Sequence, residues 1–189
     1  MQDSWLNRLE IQLVCGDLFE QAPDAVMCPT RDDLAPYGAI SAKATRIGGL
    51  ALEDLLNKKY QTLEITPMVL GSSAAVDVSS IEAFHFRWLV TVALWQHESQ
   101  YTANLFNASY TSAIRLAAER QCHSLALPIM AYDGNLPMAC EGWSKALAEL
   151  GALPVTRRWP LETLLVCSTS EKNLEAFEQA TYRLYRSGC

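Results

Sequence analysis

The sequence has few basic residues. Its 15 lysines and arginines are outnumbered by 21 aspartates and glutamates, which gives a formal net charge of -6 over 189 residues. Long contact with the phosphates of DNA or RNA requires a basic surface, so this composition argues against a nucleic-acid-binding protein. A small anionic ligand stays compatible with it, because the backbone amides at a helix start hold phosphate whatever the net charge.

Metal-binding spacings are also lacking. The six cysteines are spread along the chain without a C-x-x-C pair, and the three histidines do not stand at a spacing suited to zinc. Reduced thiols are the simplest interpretation of these cysteines. We therefore expect neither a metal site nor a cofactor.

Long apolar runs are absent as well. No run approaches the length that spans a bilayer, and residues 1–5 lack the basic start and apolar stretch of a secretion signal. We therefore expect a cytoplasmic protein that binds no membrane.

What the chain does contain is an alternation of short β-rich runs with longer helical patterns. This order predicts an α/β protein, and the length fits one domain over residues 1–189. The predicted strands are 9–15, 24–28, 68–76, 86–94, 124–129 and 163–167. The predicted helices are 39–57, 104–121, 138–150 and 171–186.

Two of these segments carry further expectations. The pair Gly48-Gly49 interrupts the first helical pattern, so we expect a break or a change of direction there. The continuous apolar character of the 86–94 run predicts a strand that is buried on both faces, and hence a central one.

The most informative motif is Gly16-Asp17-Leu18-Phe19, directly after the first predicted strand. A carboxylate at the end of a strand can select one edge of a nucleotide base, because a mismatched base would leave a buried polar group unpaired. Aspartate is also common in turns and helix caps. Both interpretations of Asp17 remain open at this point.

In order and spacing, several short motifs together resemble the macro domain family. They are Gly16–Phe19, residues 24–28, Gly38-Ala39-Ile40, and residues 124–128 with the turn that follows. Residues 101–105 are similar to the stretch before the corresponding helix in the branch that removes ADP-ribose from proteins. The likeness extends over roughly residues 9–185. It implies a three-layer α/β/α sandwich with a mixed, mainly parallel six-stranded sheet, and a cleft at one end of that sheet for ADP-ribose or a related adenine nucleotide.

The resemblance also assigns site residues by position. It implies that Asp17 accepts a hydrogen bond from the amino group of adenine, and that the 28–40 segment and the 130–135 loop surround the phosphates and ribose. The predicted ligand-binding residues are Asp17, Leu18, Cys28, Arg31, Tyr37, Gly38, Ala39, Ile40, Met130, Ala131, Tyr132, Asp133, Gly134 and Asn135.

Two departures from the family pattern bear on the site: the first argues against turnover, and the second weakens one wall that would hold the phosphates. Residues 27–33 contain no asparagine, which in the enzymes of the family orients the distal ribose near an attacking water. The loop that usually carries a glycine run reads Leu34-Ala35-Pro36-Tyr37-Gly38 here, and proline has no N–H to offer a diphosphate.

Two alternatives stay open beside binding of free or protein-linked ADP-ribose. One is a hydrolase of ADP-ribosyl or O-acetyl-ADP-ribose groups with nonstandard catalytic residues, for which Cys28 and Asp133 are the candidates. The other is a scaffold whose cleft is filled by Pro36, Tyr37 and Tyr132 and whose surface binds a protein. Cys28 also reads as a small buried hydrophobe.

Overall fold

The computed structural model describes residues 8–96, 100–131, 134–153 and 159–187. Within these ranges the chain forms strands β1 (Glu10–Cys15), β2 (Ala25–Arg31), β3 (Ser73–Asp77), β4 (Trp88–Trp95), β5 (Ser124–Pro128) and β6 (Thr163–Ser168). The helices are α1 (Gly38–Gln61), α2 (Ala103–Glu119), α3 (Leu136–Gly151) and α4 (Glu171–Ser187). None of the helices in the described ranges combines the length and apolar character that crossing a membrane requires.

The strands form one sheet in the order β1-β6-β5-β2-β4-β3. Only the edge strand β3 runs antiparallel to its neighbour, and the other four pairings are parallel. The prediction of a mixed, mainly parallel sheet is thus confirmed. Because parallel strands end at the same edge, the segments after β1, β5 and β6 meet there, which is where open α/β sheets place their ligands.

Helices cover both faces of the sheet and create two apolar cores. On one face α2, α3 and α4 pack together, and Tyr110, Trp143 and Phe177 are fully buried between them. On the other face α1 covers the sheet with the 78–86 segment. The predicted three-layer sandwich is therefore confirmed.

The break expected in the first helix is present. Gly49 has φ 55° and ψ -150°, a backbone conformation that is almost restricted to glycine, and it separates two helical segments within α1. The first segment carries Gly38, Ala39 and Ile40 at its start.

Strand β4 differs in one respect from its prediction. Its six inner residues are buried, as expected for a strand covered on both faces. It lies between β2 and the edge strand β3, however, and not in the middle of the sheet. Phe106 of α2 on one face and Phe84 and Phe86 on the other belong to the two cores that cover it.

Two strand boundaries also differ from the sequence interpretation. β2 continues through Pro29 to Arg31. It pairs with β5 only at Ala25 and Val26, so at Pro29 the strand has β4 as its one partner in the sheet and a proline, which lacks an N–H, is tolerated there. β3 begins only at Ser73, since Gly71 adopts φ 83° and turns the chain before the strand starts.

Candidate ligand-binding cleft

A cleft of about 420 Å³ opens where β1, β5 and β6 end. This volume lies within the range of roughly 300–1,000 Å³ that is usual for small-molecule sites. The described residues that line it are Gly16, Asp17, Leu18, Phe19, Ala39, Ile40, Lys43, Pro128, Ile129, Ala131, Cys167, Ser168, Thr169 and Asn173.

Asp17 lies at the wall of this cleft and makes two contacts through its carboxylate. One oxygen, Oδ1, accepts a hydrogen bond from the Phe19 amide at 2.9 Å and so caps the short 3-10 helix Leu18–Glu20. The other, Oδ2, forms an ion pair with Lys43 Nζ. Asp17 therefore caps the 3-10 helix and also lines the cleft.

The backbone around Asp17 is held on both sides. The Gly16 amide donates to the Ser168 carbonyl at 3.0 Å, which ties this segment to the end of β6. The Gln21 side chain donates to the Asp17 carbonyl, also at 3.0 Å. The carboxylate is thus presented from a fixed loop, and 23% of the side chain is exposed to the cleft.

The charge state of Asp17 follows from these neighbours. Partial burial would raise the pKa of its carboxyl, but the hydrogen bonds from Lys43 and from the Phe19 amide and the charge of Lys43 together hold that pKa below its ordinary value of 3.8. Asp17 is therefore an ionised acceptor at neutral pH.

Lys43 is the main site residue that the sequence interpretation missed. It lies on α1 four positions after Ala39 and three after Ile40, both of which line the cleft. Residues at these spacings share one face of a helix, so the helical pattern contained the signal. Cys167, Ser168, Thr169 and Asn173 were missed as well, because only the pairing of β1 with β6 brings them to Asp17.

The structure corrects the expectation that Cys28 faces the cleft. Its side chain is 1% exposed and lies in the core beneath α1, near Ala44 and Leu52. Burial raises the pKa of the thiol to about 12. A thiol in this environment is protonated at neutral pH and behaves as a small hydrophobe.

Arg31 and Tyr37 lie outside the described lining of the cleft. The guanidinium of Arg31 stands 5.0 Å above the Trp95 ring and 3.5 Å from the carboxylate of Asp33. The Tyr37 ring stacks on the same tryptophan, Trp95, with 5.4 Å between the ring centroids. The Tyr37 hydroxyl contacts the hydroxyl of Tyr101. Neither Pro36 nor Tyr37 fills the described cleft, contrary to what the scaffold alternative requires of them.

The second predicted loop is brought to the cleft in part. Ala131 lines it, whereas Met130 is completely buried behind it and donates its amide to the Tyr110 hydroxyl at 3.2 Å. Gly134 has φ 79° and is exposed, and Asn135 directly precedes α3. Tyr132 and Asp133 lie outside the described residues.

The described lining offers no activated nucleophile. Cys167 reaches the cleft, but burial and the nearby charge of Asp17 raise the pKa of its thiol to about 12. No histidine lines the described part of the cleft. Among the residues that the structure describes, no cluster of three or more histidine, cysteine or acidic side chains could hold a metal ion.

Two curated proteins are similar to this chain in sequence. No protein-family model matches the chain. Two macro domain-containing proteins of Listeria monocytogenes, from strains F2365 and EGD-e, are each 25% identical to it over 178 residues, which cover 94% of this chain and 95% of theirs. The resemblance seen in the sequence motifs is confirmed by these relatives.

Comparison with solved structures gives the same fold. A macrodomain of Oceanobacillus iheyensis with MES bound superposes with a TM-score of 0.75 at 14% identity, covering 99% of this chain and 97% of that one. The same macrodomain with ADP gives a TM-score of 0.72. A Trypanosoma brucei macrodomain in complex with ADP-ribose gives 0.68 over 91% of this chain and 69% of that one, again at 14% identity.

Proposed function

We propose that this chain, which has the macrodomain fold and resembles macro domain-containing proteins over nearly its whole length, binds ADP-ribose or a related adenine nucleotide in the cleft. The observation that carries this proposal is the ionised carboxylate of Asp17 at the cleft wall. ADP-ribose attached to a protein is included, because it presents the same base and diphosphate.

Asp17 retains the acceptor capacity that the adenine amino group needs. An ionised carboxylate offers about four lone-pair positions, and the Phe19 amide and Lys43 use one on each oxygen. The remaining lone-pair positions are accessible, because the Asp17 side chain lines the cleft and is 23% exposed. A base with an amino donor at this edge would pair with Asp17, whereas a carbonyl oxygen in the same place would meet it as a second acceptor.

The start of α1 supports the placement of phosphate in the same cleft. The first N–H groups of a helix lack intrahelical partners and carry the positive end of the helix dipole. Ala39 and Ile40 bring this first turn to the cleft wall, and the first turn contains no acidic residue. Backbone amides would thus hold the phosphates without the usual glycine run.

Solved structures that are similar to this chain support the same class of ligand. Macrodomains that superpose closely on this chain have been solved with ADP and with ADP-ribose. Binding without turnover is favoured, because Cys28 lies in the core away from the cleft and burial raises the pKa of the one described thiol that lines the cleft, Cys167, to about 12.

Isothermal titration calorimetry with ADP-ribose and ADP tests the proposal. We expect binding by the wild-type protein, and a loss of about 1 to 3 kcal/mol of binding free energy in Asp17→Ala, the scale for a stranded buried hydrogen-bond partner. Asp77→Ala is the matched control, since Asp77 also accepts from a backbone amide and pairs with an arginine, on β3 at the far edge of the sheet. Absence of binding to both nucleotides would contradict the proposal.

A further inference from the structure

We propose that Tyr110 is a positioning residue for the nucleotide, which holds part of the cleft lining from inside the core without touching the ligand. The inference rests on the proposed function, because it concerns how the same cleft is kept in a conformation that can bind. It assigns a role to a buried side chain of α2 that lies outside the described lining of the cleft. The hydroxyl of Tyr110 acts through the backbone of residues 128–131.

The segment 128–131, at the end of β5, supplies three residues of the described lining, which are Pro128, Ile129 and Ala131. The sheet holds this segment on one side. Ile129 donates its amide to the Cys167 carbonyl of β6 at 3.3 Å. On the other side, β2 pairs with β5 no further than Ala126. The backbone groups of the segment that point toward β2 therefore need another partner.

The Tyr110 hydroxyl is this partner. It donates to the Pro128 carbonyl at 3.2 Å and accepts from the Met130 amide, also at 3.2 Å. In a parallel ladder a single residue of the neighbouring strand makes such a pair of bonds, since it donates to one C=O and accepts from the N–H two positions later. One hydroxyl thus replaces the backbone of a β2 residue where β2 and β5 no longer pair.

The packing of the core fixes the position of this hydroxyl. Tyr110 is fully buried, and its ring packs edge-on against Trp143 of α3 and Phe177 of α4, with 5.3 and 6.2 Å between the ring centroids. Burial raises the pKa of the hydroxyl above its ordinary value of 10.0, so the group keeps at neutral pH the hydrogen that it donates. The cleft lining is therefore tied to the packing of three helices.

Loss of the hydroxyl would leave the Pro128 carbonyl and the Met130 amide unpaired. Because unpaired polar groups are costly in the core, a conformation in which the segment moves out to reach water becomes populated. Affinity then falls in proportion to the fraction of molecules that keep the binding conformation. Calorimetry should therefore show that Tyr110→Phe binds ADP-ribose about tenfold more weakly than the wild type, which corresponds to the loss of about one such hydrogen bond.

Thr181→Val is the matched control, because it removes a hydroxyl that makes the same two kinds of bond in the same core. The Thr181 hydroxyl accepts from the Trp143 indole N–H at 2.9 Å and donates to the Phe177 carbonyl at 2.8 Å. It does not belong to the described lining of the cleft. Chemical unfolding should show that both variants are less stable than the wild type, whereas only Tyr110→Phe should lose affinity for ADP-ribose.

Hydrogen exchange of the Met130 amide tests the same coupling in the wild-type protein, so this measurement does not depend on the folding of a variant. Coupling between two equilibria is reciprocal: if the bond from Met130 to Tyr110 favours binding, bound ligand must favour that bond. Saturating ADP-ribose should therefore slow the exchange of this amide by about tenfold or more, as measured by NMR. A role of Tyr110 in stability alone predicts no such local dependence on the ligand.

Four results would overturn the inference, and one of them would also overturn the proposed function. The inference is wrong, while the proposed function stands, if Tyr110→Phe binds ADP-ribose as tightly as the wild type. It is equally wrong if Thr181→Val loses as much affinity, because the effect would then be general destabilisation. Bound ADP-ribose that leaves the exchange of the Met130 amide unchanged would also contradict it. If the wild-type protein binds neither ADP-ribose nor ADP, the proposed function itself fails and the inference falls with it.

Discussion

The side chains of Asp17 and Lys43 form an ion pair that joins the loop after β1 to the first turns of α1. This contact fixes the wall of the cleft at the point where sheet and helix layer meet. The pair also determines the charge of the one acidic side chain among the described lining residues. Several properties of the protein should therefore change together when either partner is replaced.

The first prediction concerns the ionisation of Asp17. In Lys43→Met we expect the pKa of the Asp17 carboxyl to rise above its wild-type value, because the hydrogen bond and the charge that lower it are lost and the effect of burial remains. The measurement is a carboxyl-carbon NMR titration, with Lys58→Met as the control. An unchanged pKa in Lys43→Met would show that the ion pair is not formed in solution.

The same pKa has a consequence for stability in acid. Since the folded-state pKa of Asp17 is depressed below the ordinary value of 3.8, its contribution to stability is present above that pH and is lost as the pH falls through the folded pKa. Asp17→Asn has no such group to protonate. Below pH 3.8 the stability difference between wild type and Asp17→Asn should therefore shrink, as measured by urea unfolding at a series of pH values.

A second prediction concerns the packing of α2 against α3. A Cβ atom on Gly142 would lie 2.5 Å from Phe106 Cβ and 2.8 Å from the Ala103 carbonyl oxygen. We expect Gly142→Ala to destabilise the protein by about 1–3 kcal/mol, the usual effect of overpacking.

The control for this substitution is Gly16→Ala. A Cβ atom on Gly16 would meet its nearest neighbours at 3.7 and 3.9 Å, which is ordinary van der Waals contact. Chemical unfolding should therefore place Gly16→Ala close to the wild type and Gly142→Ala well below it. Equal stabilities of the two variants would contradict the close approach of α2 and α3.

A third prediction concerns thiol reactivity. Cys28 is buried with a pKa of about 12, whereas Cys15 is exposed at the end of the edge strand β1. Iodoacetamide at pH 8 should therefore modify Cys15 in the folded protein and Cys28 only after denaturation, because the thiolate is the reactive form. Peptide mapping by mass spectrometry reads out both sites. Rapid labelling of Cys28 in the folded state would restore it as a candidate nucleophile.

The layer order and the sheet could be predicted from the sequence to a large extent. Alternating β-rich and helical patterns gave the element order, and Gly48-Gly49 marked the break in α1 correctly. The ends of strands were less predictable where they depend on which strands pair in the sheet. β2 continues through Pro29 because it pairs there with β4 but not with β5. This pairing depends on the tertiary fold and cannot be read from the local sequence.

The site was predictable only where a local motif carried it. Asp17 and Leu18 follow directly from the motif after β1, and Ala39 and Ile40 from the helix start. Arg31 and Tyr37 were assigned from their loop, but stacking on Trp95 holds them away from the described lining. Lys43 could have been found from its helical spacing to Ala39 and Ile40, whereas Asn173 enters only through the pairing of β1 with β6.

The pairing of the first strand with the last one has a consequence for biosynthesis. The cleft is lined by the residues that follow β1 and by those that follow the adjacent strand β6, which are about 150 positions later in the chain. A ribosome-bound chain that has not yet released residue 168 lacks that second part of the lining. The described lining of the cleft is thus complete only once residue 173 has been synthesised.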